Sequence, residues 1–206
     1  MKRVVGQSFG LLLIMIGIGS GYIEFNNKSA YSYQADEKAE VKPVTARVMG
    51  VKKAEARVVK PAQLIIPAIK VAAPVKAMGL DGTKMAVPDN FTEVGWYKYG
   101  TSPGEKGSAV MGAHVDDGGR TAGVFKNLKN LKVGDDIYAV DSDGKAAHFR
   151  VTAKKVLPYR TKITDDVFMK KDTARLNLIT CHGTFLPKEN TYNQRLIIFT
   201  ELVPKN

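Results

Sequence analysis

The sequence predicts an all-β domain: a closed barrel of seven or eight strands with one or two short helices, preceded by an N-terminal transmembrane helix. Three observations carry this expectation. From Pro61 onward the chain runs in short segments rich in Val, Ile, Tyr and Phe, punctuated by Gly, Pro and Asp, which is the texture of strands joined by tight turns. In that region only 121–131 spaces its apolar residues for a helix, with Val124, Leu128 and Leu131 on one stripe. Ahead of it, Val4 to Ile23 carries no charged residue.

A helix needs about 20 predominantly apolar residues to cross a bilayer, and 4–23 supplies them. A cleavable signal peptide has a shorter apolar region and ends in a small-residue site, which does not directly follow Ile23. Lys2 and Arg3 precede the segment and Glu24 follows it, so the positive-inside rule places the N-terminus in the cytoplasm and the remaining chain outside the cell membrane. The expected organisation is an anchor over 1–25, a flexible linker over 26–60 and one globular domain over 61–206. The linker is rich in Ala, Lys, Glu and Val and contains the mixed-charge run Asp36-Glu37-Lys38-Ala39-Glu40. It holds too little apolar area to offset its ordering entropy, and a partly helical stalk around Val51 to Val59 is the alternative.

Within the domain the expected strands are Gln63–Ile66, Val75–Met78, Ser108–Ala113, Asp136–Val140, His148–Leu157, Arg175–Cys181 and Leu196–Val203. Turn signals separate them at Asp81-Gly82, Ser102-Pro103-Gly104, Asp117-Gly118-Gly119 and Asp143-Gly144. Closure into a barrel removes the exposed edges that such Val- and Ile-rich strands would offer for aggregation.

Thirty-one Lys and Arg residues against 20 Asp and Glu give a net charge of +11, which favours an anionic neighbourhood such as a membrane surface or a cell-wall polyanion. Nucleic-acid binding has only this charge behind it, without an interleaved aromatic platform. The single cysteine, Cys181, excludes an internal disulfide. A lone cysteine is often a small buried hydrophobe, but a free thiol in an exported domain is exposed to oxidation, which favours a reactive role. Cys181 ends the apolar run Leu176 to Thr180 and precedes His182-Gly183, reading as a strand end delivered to a turn.

A thiol nucleophile needs an acid/base partner, ordinarily an imidazole. His182 is adjacent, and neighbouring residues on a strand point to opposite faces. His148 alternates with Ala147 and Phe149 and reads as a solvent-facing strand position. His114 ends Val110-Met111-Gly112-Ala113 and leads into Val115-Asp116-Asp117-Gly118-Gly119, so it is the expected partner by elimination and by setting. Asp116 reads either as a turn former or as a group orienting His114. Acyl transfer also needs positive charge where an oxyanion forms. Arg195 stands directly before Leu196-Ile197-Ile198-Phe199, either as that cation or as a charge at a strand's wet end.

Taken together, His114, Leu178-Ile179-Thr180-Cys181 and Arg195-Leu196-Ile197-Ile198-Phe199 resemble the sortase pattern in order and spacing. The similarity extends through Ile66-Pro67-Ala68-Ile69-Lys70-Val71, Val94-Gly95-Trp96-Tyr97, Gly112-Ala113-His114-Val115-Asp116 and Leu131-Lys132-Val133-Gly134-Asp135, roughly Gln63 to Val203. Within the family the His-Val-Asp run looks most like class F. Two positions depart from many relatives: His182 after the cysteine, and Ala113 in place of a glycine before the histidine.

The resemblance implies a sortase-type β-barrel catalytic domain that cleaves an LPxTG-like sorting signal between Thr and Gly. Cys181 would form the thioacyl intermediate, His114 would protonate the leaving amine, and Arg195 would steady the oxyanion or the substrate backbone. An amine acceptor, by analogy a cell-wall precursor or a pilin lysine, would resolve the intermediate, with slow hydrolysis where water does so instead. No cofactor is expected. Asp116-Asp117 and Asp135-Asp136 read as turns rather than a calcium site, while family analogy leaves calcium modulation open. The rival readings are an L,D-transpeptidase and a non-catalytic wall-binding domain. The first resembles the chain less, because Thr180 and Gly183 stand where that family has Gly before and Arg two after its cysteine. Papain-like hydrolases place cysteine before histidine, the reverse of the order here.

Overall fold

The computed structural model describes residues 53–54 and 58–204. The predicted anchor and most of the predicted linker lie outside the described residues; among those described, no helix is long and apolar enough to cross a membrane.

The chain forms β1 (Lys53–Ala54), β2 (Gln63–Ile66), β3 (Val71–Met78), the short hairpin of β4 (Leu80–Asp81) and β5 (Lys84–Met85), β6 (Val94–Tyr97) and β7 (Gly107–Gly112). It continues through β8 (Asp136–Val140), β9 (Lys145–Pro158), α1 (Thr164–Phe168), β10 (Ala174–Leu186) and β11 (Thr191–Leu202). Nine strands make one sheet in the order β1-β9-β11-β10-β7-β6-β3-β2-β8, and a β8–β9 pairing joins its two ends. The eight strands from β9 to β8 therefore close into a barrel, and β1 adds outside the ring, parallel to β9 with Lys53 opposite Lys145. Closure gives every ring strand a hydrogen-bonded neighbour on each side, which a strand at a sheet edge lacks.

Strand alternation builds two apolar layers. Leu64, Trp96, Met111, Ile137, Phe149, Leu178 and Ile198 point inward and form the barrel core with Phe125, Leu128 and Leu131. Residues of the opposite parity on β7, β10 and β11 face outward. There Val110 and Ile197 pack with Val167 of α1, flanked by Met85, Phe168, Ile179 and Phe199. Val59 is also buried in the main core, and its N–H donates to Pro103 O at 2.9 Å, so ordered packing begins slightly upstream of Pro61.

The helix expected over 121–131 does not form; only Leu128–Asn130 makes a 3₁₀ turn. Gly123 N donates to Val115 O and Phe125 N to His114 O, so the backbone groups an α-helix would use are taken by the chain after β7. A Cβ on Gly123 would stand 2.2 Å from His114 O, which makes this close approach possible only for glycine. Val124, Leu128 and Leu131 are packed as a helix stripe would be, but through successive i→i+3 turns, including Leu128 N to Phe125 O and Leu131 N to Leu128 O. The α-helix among the described residues is α1, whose five residues are too short to show a periodicity. Strand β6 was not among the expected strands, since four residues interrupted by Gly95 give little alternation to read.

Thr200 supports the closure locally. At the register shift between Phe199 and Thr200, its hydroxyl accepts from Leu176 N at 3.1 Å and donates to Leu176 O at 2.7 Å, filling a gap in the β10–β11 ladder. Thr200→Val keeps the shape and strands both buried groups, so it should lower the unfolding free energy by about 2 kcal/mol. Urea denaturation followed by circular dichroism reads this as a lower midpoint with an unchanged slope.

Candidate functional site

The outward-facing layer carries all three sequence-predicted site residues. On β10, Leu178 and Thr180 point inward, so Ile179 and Cys181 point outward; on β11, Leu196 and Ile198 point inward, so Arg195 and Ile197 point outward. Cys181 is directly opposite Arg195 in the antiparallel pair. Directly opposed residues share a face with Cβ atoms about 5 Å apart. Strand β7 runs parallel to β10 on its other side, with Ile179 level with Gly112, and Thr180 Oγ1 donates to Ala113 O at 2.7 Å. Continuing that register brings His114 level with Cys181. Two adjacent strands thus present the cation and the thiol side by side on the outer face, and His114 follows two residues after the end of the third, β7.

Neither Cys181 nor Arg195 occupies the strand terminus expected from sequence. Strand β10 continues to Leu186, and its pairing with β11 shifts register between His182 and Phe185, just after the cysteine. Gly183 makes the shift possible, having φ +85° and a Cβ position only 2.2 Å from Asn193 Oδ1. Arg195 is preceded in β11 by Thr191 to Gln194 rather than starting it. The apolar content of 196–199 concealed these earlier, half-buried polar residues.

The thiol is half-buried, and burial pushes its pKa above the ordinary cysteine range. Arg195 and a hydrogen bond from the Tyr192 backbone N–H oppose this shift, and the Asp116 carboxylate adds to it. The resting group is consequently a thiol, and forming the nucleophile requires proton removal at the moment of attack. Arg195 has no carboxylate partner among the described residues. Its Nη1 donates to Tyr192 O and Gln194 O, each at 3.0 Å, its Nη2 donates to Thr191 Oγ1 at 2.9 Å, and the guanidinium lies 5.8 Å from the Tyr159 ring centroid. The charge is held in place by neutral groups and stays available to an anion.

His114 is fixed from the other side of the fold. Its Nε2 lies 3.0 Å from Pro88 O, and its ring rests 5.0 Å from the Phe91 centroid. Asp116 does not orient it. The Oδ1 of Asp116 accepts from Gly118 N at 3.0 Å, Gly119 N at 3.1 Å and the Tyr192 hydroxyl. Burial and this bond to Asp116 raise the Tyr192 pKa to about 12, so the phenol remains a donor at neutral pH. Tyr192, Pro88, Phe91 and Tyr159 had no sequence signal: the last three lie in irregular connections, Tyr192 lies in the polar start of β11, and each meets the site only through the fold.

The other histidines are elsewhere engaged. His148 is not a simple solvent-facing residue: its Nε2 lies 2.8 Å from Asp136 Oδ1, and its ring stacks on Tyr138 at 4.5 Å. Asp136 begins β8, with the bounds expected for that strand, and also accepts from Arg150, so its carboxylate does not cap the turn that Asp135 makes. Asp135 does form a turn, accepting from Lys132 N at 2.8 Å. His182 follows Cys181 on β10 and lines the same cavity of about 200 Å³ as Asp116, Lys126 and Tyr192. Among the described residues, no group of three or more His, Cys, Asp or Glu side chains is arranged to hold a metal ion.

An eight-stranded barrel with a thiol opposite a guanidinium, and an imidazole just past the end of the strand paired on the thiol's other side, has the parts of a cysteine-dependent acyl-transfer enzyme. The Sortase domain model matches residues 64–203, and the chain belongs to the sortase family, whose members are cysteine transpeptidases. Among solved structures, the complex of Streptococcus agalactiae sortase C1 and MTSET is 25% identical, covering 71% of this chain and 70% of that one with a TM-score of 0.56. Sortase A from Corynebacterium diphtheriae, a lid mutant, is 20% identical over 73% of each chain with a TM-score of 0.55. Sortase C1 from Streptococcus suis is 23% identical, covering 72% of this chain and 75% of that one with a TM-score of 0.54. At these identities the last two likenesses speak to the fold alone. No curated protein matches the chain.

The electrostatics predict the titration of the thiol. Alkylation of Cys181 by iodoacetamide should be slower at pH 7 than that of an unstructured cysteine peptide and should keep rising with pH beyond the ordinary cysteine range. Arg195→Gln removes the cation that favours the thiolate, so its alkylation profile should move to still higher pH.

Proposed function

We propose that this chain is a membrane-anchored sortase that cleaves an LPxTG-like signal between Thr and Gly and transfers the protein to an amine acceptor. The observation that carries the reading is the opposition of Cys181 and Arg195 across β10 and β11, with β7, which leads into His114, paired on the other side of β10. Cys181 Sγ attacks the Thr carbonyl as its proton passes to His114; the oxyanion that forms is met by Arg195. Collapse breaks the Thr–Gly bond, His114 returns the proton to the leaving amine, and a thioester remains. An incoming amine, on a cell-wall precursor or a pilin lysine, attacks that thioester. One of its protons returns through His114 to the departing sulfur, giving an amide and the restored thiol. Water in the amine's place gives slow hydrolysis.

The chemistry requires no cofactor, since nucleophile, proton carrier and oxyanion cation are side chains; calcium would act, if at all, as a modulator. The His114-Val115-Asp116 run supports placement nearest class F. The uncharged 4–23 segment supports a single-pass anchor with a cytoplasmic N-terminus and an extracellular catalytic domain, where tethering raises the effective concentration of membrane-linked substrates.

The full-length protein, solubilised in detergent, is mixed with a labelled LPxTG peptide and triglycine, and the transfer product is followed by mass spectrometry. Cys181→Ala should abolish product and thioacyl adduct. His114→Ala should lower kcat/KM by about 10²- to 10⁴-fold and Arg195→Ala by about 10²- to 10³-fold. Transfer by Cys181→Ala equal to that of the unaltered protein would sink the proposal.

A further inference from the structure

We propose that the cavity beside Cys181 is the acceptor subsite and that Asp116 receives the ammonium group of the incoming primary amine there; this deepens the transpeptidase reading and rests on it. The cavity, of about 200 Å³, brings Cys181 together with Asp116, Tyr192, Lys126 and His182. Neither His114 nor Arg195 lines it. Arg195 and the chain leading to His114 lie on the two strands either side of Cys181, and the cavity adds a carboxylate where β10 runs on to His182 and Gly183.

The carboxylate is built for one remaining contact. Its side chain is only 11% exposed, and the three hydrogen bonds it accepts within 3.5 Å, from Gly118 N, Gly119 N and the Tyr192 hydroxyl, all go to Oδ1. Among the described residues Oδ2 has only Lys126 Nζ, 4.0 Å away on a side chain that is 46% exposed. That separation is beyond a hydrogen bond, and a long, half-exposed lysine is loosely held. The position thus already selects an ammonium ion, and the present occupant is displaceable. A substrate amine seated at Oδ2 stands in the same cavity as the sulfur of the thioester.

Proton accounting agrees with this placement. The bound ammonium must lose two protons to become an amide nitrogen. One passes to water as the amine becomes nucleophilic. The second passes to His114, left neutral after it protonated the first leaving group. The new C–N bond forms, the C–S bond breaks with its electron pair on sulfur, and His114 delivers its proton to Cys181. Asp116 is unchanged throughout and acts in binding and orientation.

The test uses the full-length protein with the labelled LPxTG peptide and triglycine, reading the ratio of transfer to hydrolysis. Asp116→Asn keeps an acceptor oxygen for Gly118, Gly119 and Tyr192 while removing the charge. It should raise the acceptor KM and lower the transfer-to-hydrolysis ratio by about tenfold, the size expected for one charge-assisted contact. Lys126→Ala removes the competing ammonium and should shift both quantities the opposite way. Independently of any turnover, triglycine should slow iodoacetamide alkylation of Cys181 in the unaltered protein and protect the Asp116→Asn variant about tenfold less well. An unchanged ratio in Asp116→Asn, or equal protection of both proteins, overturns the subsite. If no transfer product forms but the protection is charge-dependent, the subsite stands and the sorting-signal reading falls.

Discussion

The register of β10 between β7 and β11 is the constraint on which the rest of the structure depends. Side chains alternate along a strand, so a slip of one residue would turn Cys181 into the barrel core and Thr180 out of it. Two kinds of contact resist the slip. Leu176 and Leu178 need the interior, while Asn177 needs the exterior, where its Nδ2 donates to Val167 O at 2.7 Å. Thr180 and Thr200 then pin the strand on either side by side-chain hydrogen bonds to Ala113 O and to both backbone groups of Leu176. The position of the thiol is a by-product of satisfying the core.

That arrangement also explains how one half-buried sulfur can be quiet at rest and still be poised. Desolvation favours the neutral thiol, and Asp116 reinforces it, whereas Arg195 and the Tyr192 N–H favour the anion. The opposing influences leave the proton on sulfur until a base removes it. The supports of the site come from three connections and one strand: Pro88 and Phe91 hold His114, Tyr159 lies against Arg195, Gly123 brings the segment after β7 against His114, and Tyr192 near the start of β11 donates to Asp116. None of these residues belongs to the apolar alternation that builds the barrel.

The seven expected strands are all present because each alternates clearly or runs apolar over several residues. Strand ends were less legible. Residues 182–186 and 191–195 are polar or bulged, and they pair only because β10 and β11 face each other across the shift at Gly183. The stripe of Val124, Leu128 and Leu131 was legible as a packed face but not as its true conformation. The same spacing serves consecutive 3₁₀ turns when a neighbouring strand captures the backbone donors. His148 looked solvent-facing because its partner Asp136 lies on another strand, a relation that alternation within one segment cannot reveal.

By itself, the sequence determined the all-β character, the candidacy of Cys181, His114 and Arg195, and the sortase resemblance. These are properties of local alternation, of a unique residue and of order along the chain. Only the tertiary structure decided that Cys181 and Arg195 stand opposite each other on one outer face, that Pro88 rather than Asp116 fixes His114, and that Asp116 belongs with Tyr192 in the cavity beside the thiol. Those outcomes depend on which strands become neighbours when the barrel closes, and closure is set by long-range pairing that no stretch of sequence contains alone.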